Sequence, residues 1–334
     1  METKLHSTDN TRIYLFDNIR ALLIFLVVFG HMLTLELGQF NLMDTIYFYI
    51  FLFHIPAFIY ISGYFSKNVE KCRSTAVKSF FIPYIVLNSI GWIFDRFIIN
   101  DSQDPFRLLD PGWGLWFLLN MFIYKLLLKD LVKVRHVIVL CIITGLLSGL
   151  STEFTSYMTL ARLLSFLPFF LLGYYTKEEH IERIRKFPKL LCRLTLVFFF
   201  LISYMIVKFN LFNKEYLYLR RPYEEIQKGD LRGILIRAFI YIAAIIITIC
   251  LINLMSIDKT RFSMIGQNSI TVYVLHLFIV KFLRTLSLPW DGTIYYLIYG
   301  FIMSLLLTYG LSRPVILSFY KRGMERIVSF FMKE

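Results

Sequence analysis

A chain of 334 residues that is 57% hydrophobic and only 18% charged falls outside the range of soluble domains, which run at roughly 45–50% apolar and about 25% charged. A spanning helix uses about 20 apolar residues, so ten of them would take roughly 200 positions and leave about 130 for loops and tails, which excludes a large soluble domain on either side of a membrane. The formal charge of +13 does not mark a nucleic-acid binder, because the basic residues fall between apolar runs and form no stripe on a polar helix.

Ten apolar runs are predicted to be transmembrane helices, near 16–36, 46–65, 79–99, 115–130, 136–150, 159–176, 190–209, 232–254, 269–285 and 293–312. No small-residue cleavage site follows the first run, so it is expected to be a span and not a cleaved signal. It reads LFDNIRALLIFLVVFGHMLTLE and holds Asp17, Arg20 and His31. An ionisable group at the bilayer centre costs about 2.5–3.5 kcal/mol on insertion scales, so such groups are where function is sought first. Arg20 and His31 stand eleven positions apart, which is three helical turns plus about 20°, with about 16 Å of rise. They share a face, and Asp17 joins it three residues earlier as a structural partner for Arg20. The second run carries His54, Pro56, Ser62 and Gly63, and Lys67, Lys71, Arg73 and Lys78 follow it.

The third run closes on Asp95 and Arg96, which are expected to reach for the headgroups. Asp101, Asp104 and Asp110 then read as a solvated acidic loop. In the fourth run Trp116, Asn120 and Tyr124 share a face. Lys125, Lys129, Lys133 and Arg135 mark its end. Arg162, near the start of the sixth run, is expected to snorkel. The longest loop, 210–230, mixes Tyr216, Tyr218 and Tyr223 with Arg220, Arg221, Glu224 and Glu225, which fits either a sugar contact or a solvated loop. The ninth run places Ser269, Tyr273 and His276 on one face beside Asn268. A basic tail with Lys321, Arg322 and Arg326 follows the tenth.

Of the 36 Lys and Arg residues, 23 lie on or beside segments that share a side with the N-terminus, 7 lie on or beside the opposite loops and 6 within spans. The positive-inside rule therefore predicts both termini in the cytoplasm. Cys72, Cys141, Cys192 and Cys250 show no metal-like spacing and are expected to be free thiols. Three intramembrane histidines could suggest a metal, but with no HExxH and no nearby carboxylate pair none is expected. A side chain that titrates near neutrality suits general acid–base work instead. Taken singly, His54 and His276 also fit plain interhelical hydrogen bonding.

Several strings occur in an order that resembles the membrane acyltransferase-3 family: FDNIRALLIFLVVFGH with Arg20 and His31, FHIPAFIYISGYFSK (53–67), IPYIV (82–86), LWFLLNMFIY (115–124), FFLLGYY (169–175) and IGQNSITVYVLHLF (265–278). The second string is similar to the branch of fucose 4-O-acetylase-like proteins. The resemblance implies an all-α polytopic membrane bundle of about ten helices. It implies one acyltransferase domain over 1–334 without the soluble esterase-like domain some members carry. It also implies transfer of an acyl group, usually acetyl, to cell-surface sugars. His31 falls on the family's essential histidine and Arg20 on the arginine paired with it, while the role of His276 stays open. The family's Arg-x-Arg pair before the third helix is replaced here by AVKSFF, so Lys78, with Lys71 and Arg73 upstream, is expected to meet the donor, and Lys67 and Lys125 of the inner segments are further candidates for its phosphates.

Taken together, these readings predict an O-acyltransferase of a bacterial plasma membrane. It would use acetyl-CoA or another acyl-CoA as donor, without a metal, and a capsular or exopolysaccharide glycan or its lipid-linked precursor as acceptor. His31 is the expected base. Trp116, Asn120, Asn268, Tyr273 and His276 are candidates for holding substrate or the oxyanion. The competing reading is a flippase or carrier for a polysaccharide precursor. The lack of an inverted repeat and of paired Gly/Pro-broken spans weighs against it.

Overall fold

The computed structural model describes residues 12–34, 37, 38, 40–99, 105–112, 114–153, 157–226, 229–286 and 294–332. Asp101 and Asp104 lie outside them. Within them the chain is helical throughout and contains no strand. The helices are α1 (Tyr14–Leu33), α2 (Asn41–Tyr64), α3 (Val69–Ala76), α4 (Ile82–Phe94), α5 (Trp116–Leu131), α6 (Val137–Leu147), α7 (Leu160–Tyr175) and α8 (Glu178–Arg185). They continue with α9 (Lys189–Lys208), α10 (Tyr223–Ile226), α11 (Asp230–Leu254), α12 (Ser263–Gln267), α13 (Ser269–Arg284), α14 (Ile294–Leu311) and α15 (Pro314–Phe331). Each of the ten predicted apolar runs overlaps one of these helices.

Six helical segments are long and apolar enough to cross a membrane: Tyr14–Leu33, Asn41–Tyr64, Val69–Ile99, Lys189–Lys208, Asp230–Leu254 and Ile294–Leu311. The third joins α3 to α4 through a π-helical turn at Val77–Phe81. The other four runs fall on the shorter helices α5, α6, α7 and α13. With 11 residues, α6 rises about 16 Å, against about 30 Å of hydrocarbon core. The tail forms an 18-residue helix, α15. It leaves Val315, Phe319, Phe330 and Phe331 exposed beside Lys321, Arg322 and Arg326, the make-up of a helix that lies in a membrane interface.

The first helix sits inside the bundle and packs on α2, α11, α12, α13 and α14. Close approach is made possible by small residues, as in membrane bundles generally. A methyl group on Gly63 of α2 would fall on the Phe170 carbonyl of α7, and one on Gly173 of α7 would fall on the Tyr60 carbonyl of α2. Polar side chains clamp other pairs. Arg237 of α11, 1% exposed, donates to Gly145 O at 2.8 Å and Ser148 Oγ at 2.7 Å. Asn18 of α1 donates to the carbonyls of Ser256 and Asp258, both at 2.9 Å.

Three expectations are refined. Asp95 does not reach outward beside Arg96 but forms an ion pair with Lys281 of α13. Asp17 has Arg12 as its nearest cation, at 2.7 Å, with Arg20 at 3.8 Å. All four cysteines are free and buried.

The glycine contacts predict a stability pattern. Gly63→Ala and Gly173→Ala force the α2–α7 crossing apart and should each cost about 1–3 kcal/mol. Gly310→Ala in α14 meets open space and should leave stability unchanged or slightly raised. Thermal unfolding in detergent measures all three.

Candidate functional site

Two cavities lie end to end along one face of α1. Arg20, Ile24, Val27 and His31 follow one another at spacings of four, three and four residues, which keeps them on one side of a helix. The first cavity, about 410 Å³, is lined by Arg20, Ile24, Val27, Phe58, Ser62, Phe65, Phe117, Met121, Lys125, Ser269 and Tyr273. The second, about 370 Å³, is lined by Val27, His31, Thr34, Tyr47, His54, Trp116, Phe117, Arg162, Tyr218, Arg220, Tyr273 and Arg284, among others. Val27, Ile55, Phe117 and Tyr273 line both and form the collar where the two adjoin. Tyr273 is fixed there because its hydroxyl donates to the Gly114 carbonyl.

His31 is half-buried at the second cavity. Its ring lies against that of His276, with centroids 5.3 Å apart. The His276 Nδ1 lies 2.8 Å from the Val272 carbonyl, which fits an N–H donating there and leaves Nε2 as an acceptor. That Nε2 is buried and has no hydrogen-bond partner among the described residues. His54 is held in the same way, Nδ1 to Ile50 O at 2.7 Å. Arg284 donates to Thr34 Oγ1 and to the His31 carbonyl, which pins the last turn of α1. Among the described residues no three His, Cys, Asp or Glu side chains converge as metal ligands do.

The long loop closes the second cavity. Tyr216 and Tyr223 are buried, at 1% and 0% exposed, so this stretch is packed onto the bundle and is not a solvated loop. The hydroxyls of Tyr218 and Tyr47 lie 2.6 Å apart, and burial pushes the Tyr218 hydroxyl pKa up. Leu217, Tyr218 and Arg220 of this loop face the cavity.

The predicted residues divide by position. Arg20, His31, Trp116 and Tyr273 line the cavities, and His276 backs His31. Asn120 does not line them. It is fully buried and its Oδ1 accepts from Thr159 Oγ1 at 2.9 Å. Tyr124, on the same face of α5, donates to Leu163 O at 2.7 Å. That face holds α5 against the α7 region, and the cavity takes the adjoining one, Phe117, Met121 and Lys125. Asn268 donates to the Ser312 carbonyl at 2.7 Å and lines neither cavity.

Lys71, Arg73 and Lys78 do not line the first cavity either. Lys71 and Lys78 are exposed, and Arg73 pairs with Asp130 at 3.0 Å. Lys67 caps the C-terminal end of α7, donating to the carbonyls of Gly173, Tyr174 and Thr176; burial lowers its pKa to about 8.

Arg162 is the residue that sequence reasoning misplaced. It turns inward, with its guanidinium carbon 4.6 Å from the Trp116 ring centroid and its Nε donating to Tyr218 O at 3.2 Å. The signal was present, since an arginine inside an apolar run is a functional candidate by default.

The family model described as an acyltransferase domain matches residues 13–313. Comparison with curated proteins gives no match, and comparison with solved structures gives none.

The tyrosine pair that ties the loop to α2 is testable by a double-mutant cycle. Tyr47→Phe and Tyr218→Phe should show a coupling of about 1 kcal/mol in detergent unfolding, and additive effects would mean that the hydroxyls do not interact.

Proposed function

The chain belongs to the membrane acyltransferase-3 family, and on that premise we propose that it transfers an acyl group, acetyl first among the candidates, from acyl-CoA to a hydroxyl of a cell-surface polysaccharide or its lipid-linked precursor. The observation that carries this reading is the pair of cavities joined along Arg20, Ile24, Val27 and His31. Reaction between two substrates too large to share one pocket needs such a layout.

The first cavity lies at the Arg20 end of α1, which the distribution of basic residues assigns to the cytoplasm, where acyl-CoA is made. Arg20 and Lys125 supply cations for its phosphates. Lys71, Arg73 and Lys78 remain candidates for the nucleotide part outside the cavity. The pantetheine arm then runs along Ile24 and Val27, and the thioester reaches the collar.

At the collar the acceptor hydroxyl, held in the second cavity, attacks the thioester carbonyl. His31 takes the hydroxyl proton as the new C–O bond forms. The tetrahedral oxyanion needs positive charge beside it, and Arg284, tied to the last turn of α1 next to His31, lines the same cavity. Collapse breaks the C–S bond, and His31 returns the proton to the CoA sulfur. His276 acts as a positioning residue, because its unpartnered Nε2 can accept a hydrogen bond from the second N–H of His31 once His31 is protonated. The family assignment supports transfer over the carrier reading.

Two variants test this, assayed as transfer of labelled acetyl from acetyl-CoA to surface glycan in membranes. His31→Ala, at normal abundance, should lower transfer by at least about a hundredfold. Ile24→Trp fills the path between Arg20 and the collar and should cost about a hundredfold by displacing the thioester. Full transfer by His31→Ala removes the catalytic assignment, and full transfer by Ile24→Trp removes the path.

A further inference from the structure

The second cavity is positively charged, and its charge is not balanced by its own walls. Among the described residues Arg162, Arg220 and Arg284 line it, and no carboxylate does. Glu215 pairs with Arg220 at 3.1 Å and with Arg221 at 3.2 Å. Arg162 and Arg284 make no ion pair among the described residues; their contacts are a carbonyl and a ring for one, a hydroxyl and a carbonyl for the other. The Nε of Arg220 is buried and has no hydrogen-bond partner. Arg284 is exposed and Arg220 is partly exposed and paired with Glu215, which leaves Arg162 as the guanidinium held from bulk water without a counter-charge among the described residues; such groups are costly. They are retained where an anion completes them, and the planar fork of arginine suits oxyanions with two oxygens to offer.

Resting on the acyl-transfer reading above, we infer that the acceptor is an anionic glycan, with a carboxylate or phosphate oxyanion close to the hydroxyl that is acylated. Arg162, which donates to the Tyr218 carbonyl, and Arg220, which lies over the Tyr218 ring, bind that oxyanion. Trp116, stacked on Phe166 and covered by Arg162, backs that site. Arg284, tied to the last turn of α1, sets the positive potential around His31. The donor phosphates sit at the other cavity, so the two anionic substrates are held by separate cations.

The test uses the full-length protein in liposomes, labelled acetyl-CoA, and surface glycan extracted from host cells that lack the protein. The glycan is offered untreated, with its carboxyl groups reduced to alcohols, or dephosphorylated with hydrogen fluoride. One of the two treatments should lower kcat/KM for the glycan by about tenfold to a hundredfold, and which one identifies the oxyanion. Arg162→Gln should lower kcat/KM for untreated glycan by a similar factor, and the effective treatment should then cause little further loss. Arg162→Lys should recover part of the preference. Transfer within twofold across all three glycans overturns the inference and leaves acyl transfer standing. Arg162→Gln acting equally on treated and untreated glycan, or raising the donor KM instead, also overturns it. No transfer to any glycan overturns the acyl-transfer reading itself.

Discussion

A helical bundle solvated by lipid has nowhere outside itself to satisfy a polar group. Every charge or amide carried on these helices must find a partner within the protein or face a water-filled space. The molecule follows that constraint in two ways. Some groups become clamps: Arg237 against Gly145 and Ser148, Asn18 against the carbonyls after α11, Lys67 at the end of α7. The others line the two cavities, where Arg20, Lys125, His31, His54 and Arg162 are found. Clamp and cavity are the two available fates, and the site is where the second was taken.

That division explains how much could be read in advance. The apolar runs were long and separated by charge, so helices formed where the runs lie. The registry of Arg20 with His31 holds because α1 is regular between them, with four lining residues on one face. On α5 the chosen face divides, with Trp116 lining the second cavity while Asn120 and Tyr124 turn to their neighbours. Spacing shows that Asn120 and Tyr124 lie together, but it does not show whether a polar face meets a neighbour's carbonyls or a cavity. Only the position of Thr159 and Leu163 decides that. Arg162 failed for a related reason, because a charge near a span end can turn outward or inward and its local sequence is the same in both cases. The loop 210–230 looked polar, yet Tyr216 and Tyr223 are buried, the 214–218 turn against α2 and α11 and Tyr223 against Leu146.

The donor-side cations show the same limit. Lys71, Arg73 and Lys78 were chosen for their place before the third span. Arg73 is occupied by Asp130 and the other two are exposed, while Lys125, another candidate of the sequence reading, turns toward the cavity from the last two turns of α5. Position along the chain does not give the direction in which such side chains turn.

The collar of Val27, Ile55, Phe117 and Tyr273 has a further consequence. Two wet cavities at opposite ends of one helix, in a bundle that crosses a bilayer, would amount to a pore if they merged. A short ring of apolar side chains excludes a continuous water column, and ions do not pass where water does not persist. With its single hydroxyl already engaged by Gly114, Tyr273 adds no free group to wet the ring. The same residues that bring two substrates within reach of each other would thus keep the membrane electrically tight.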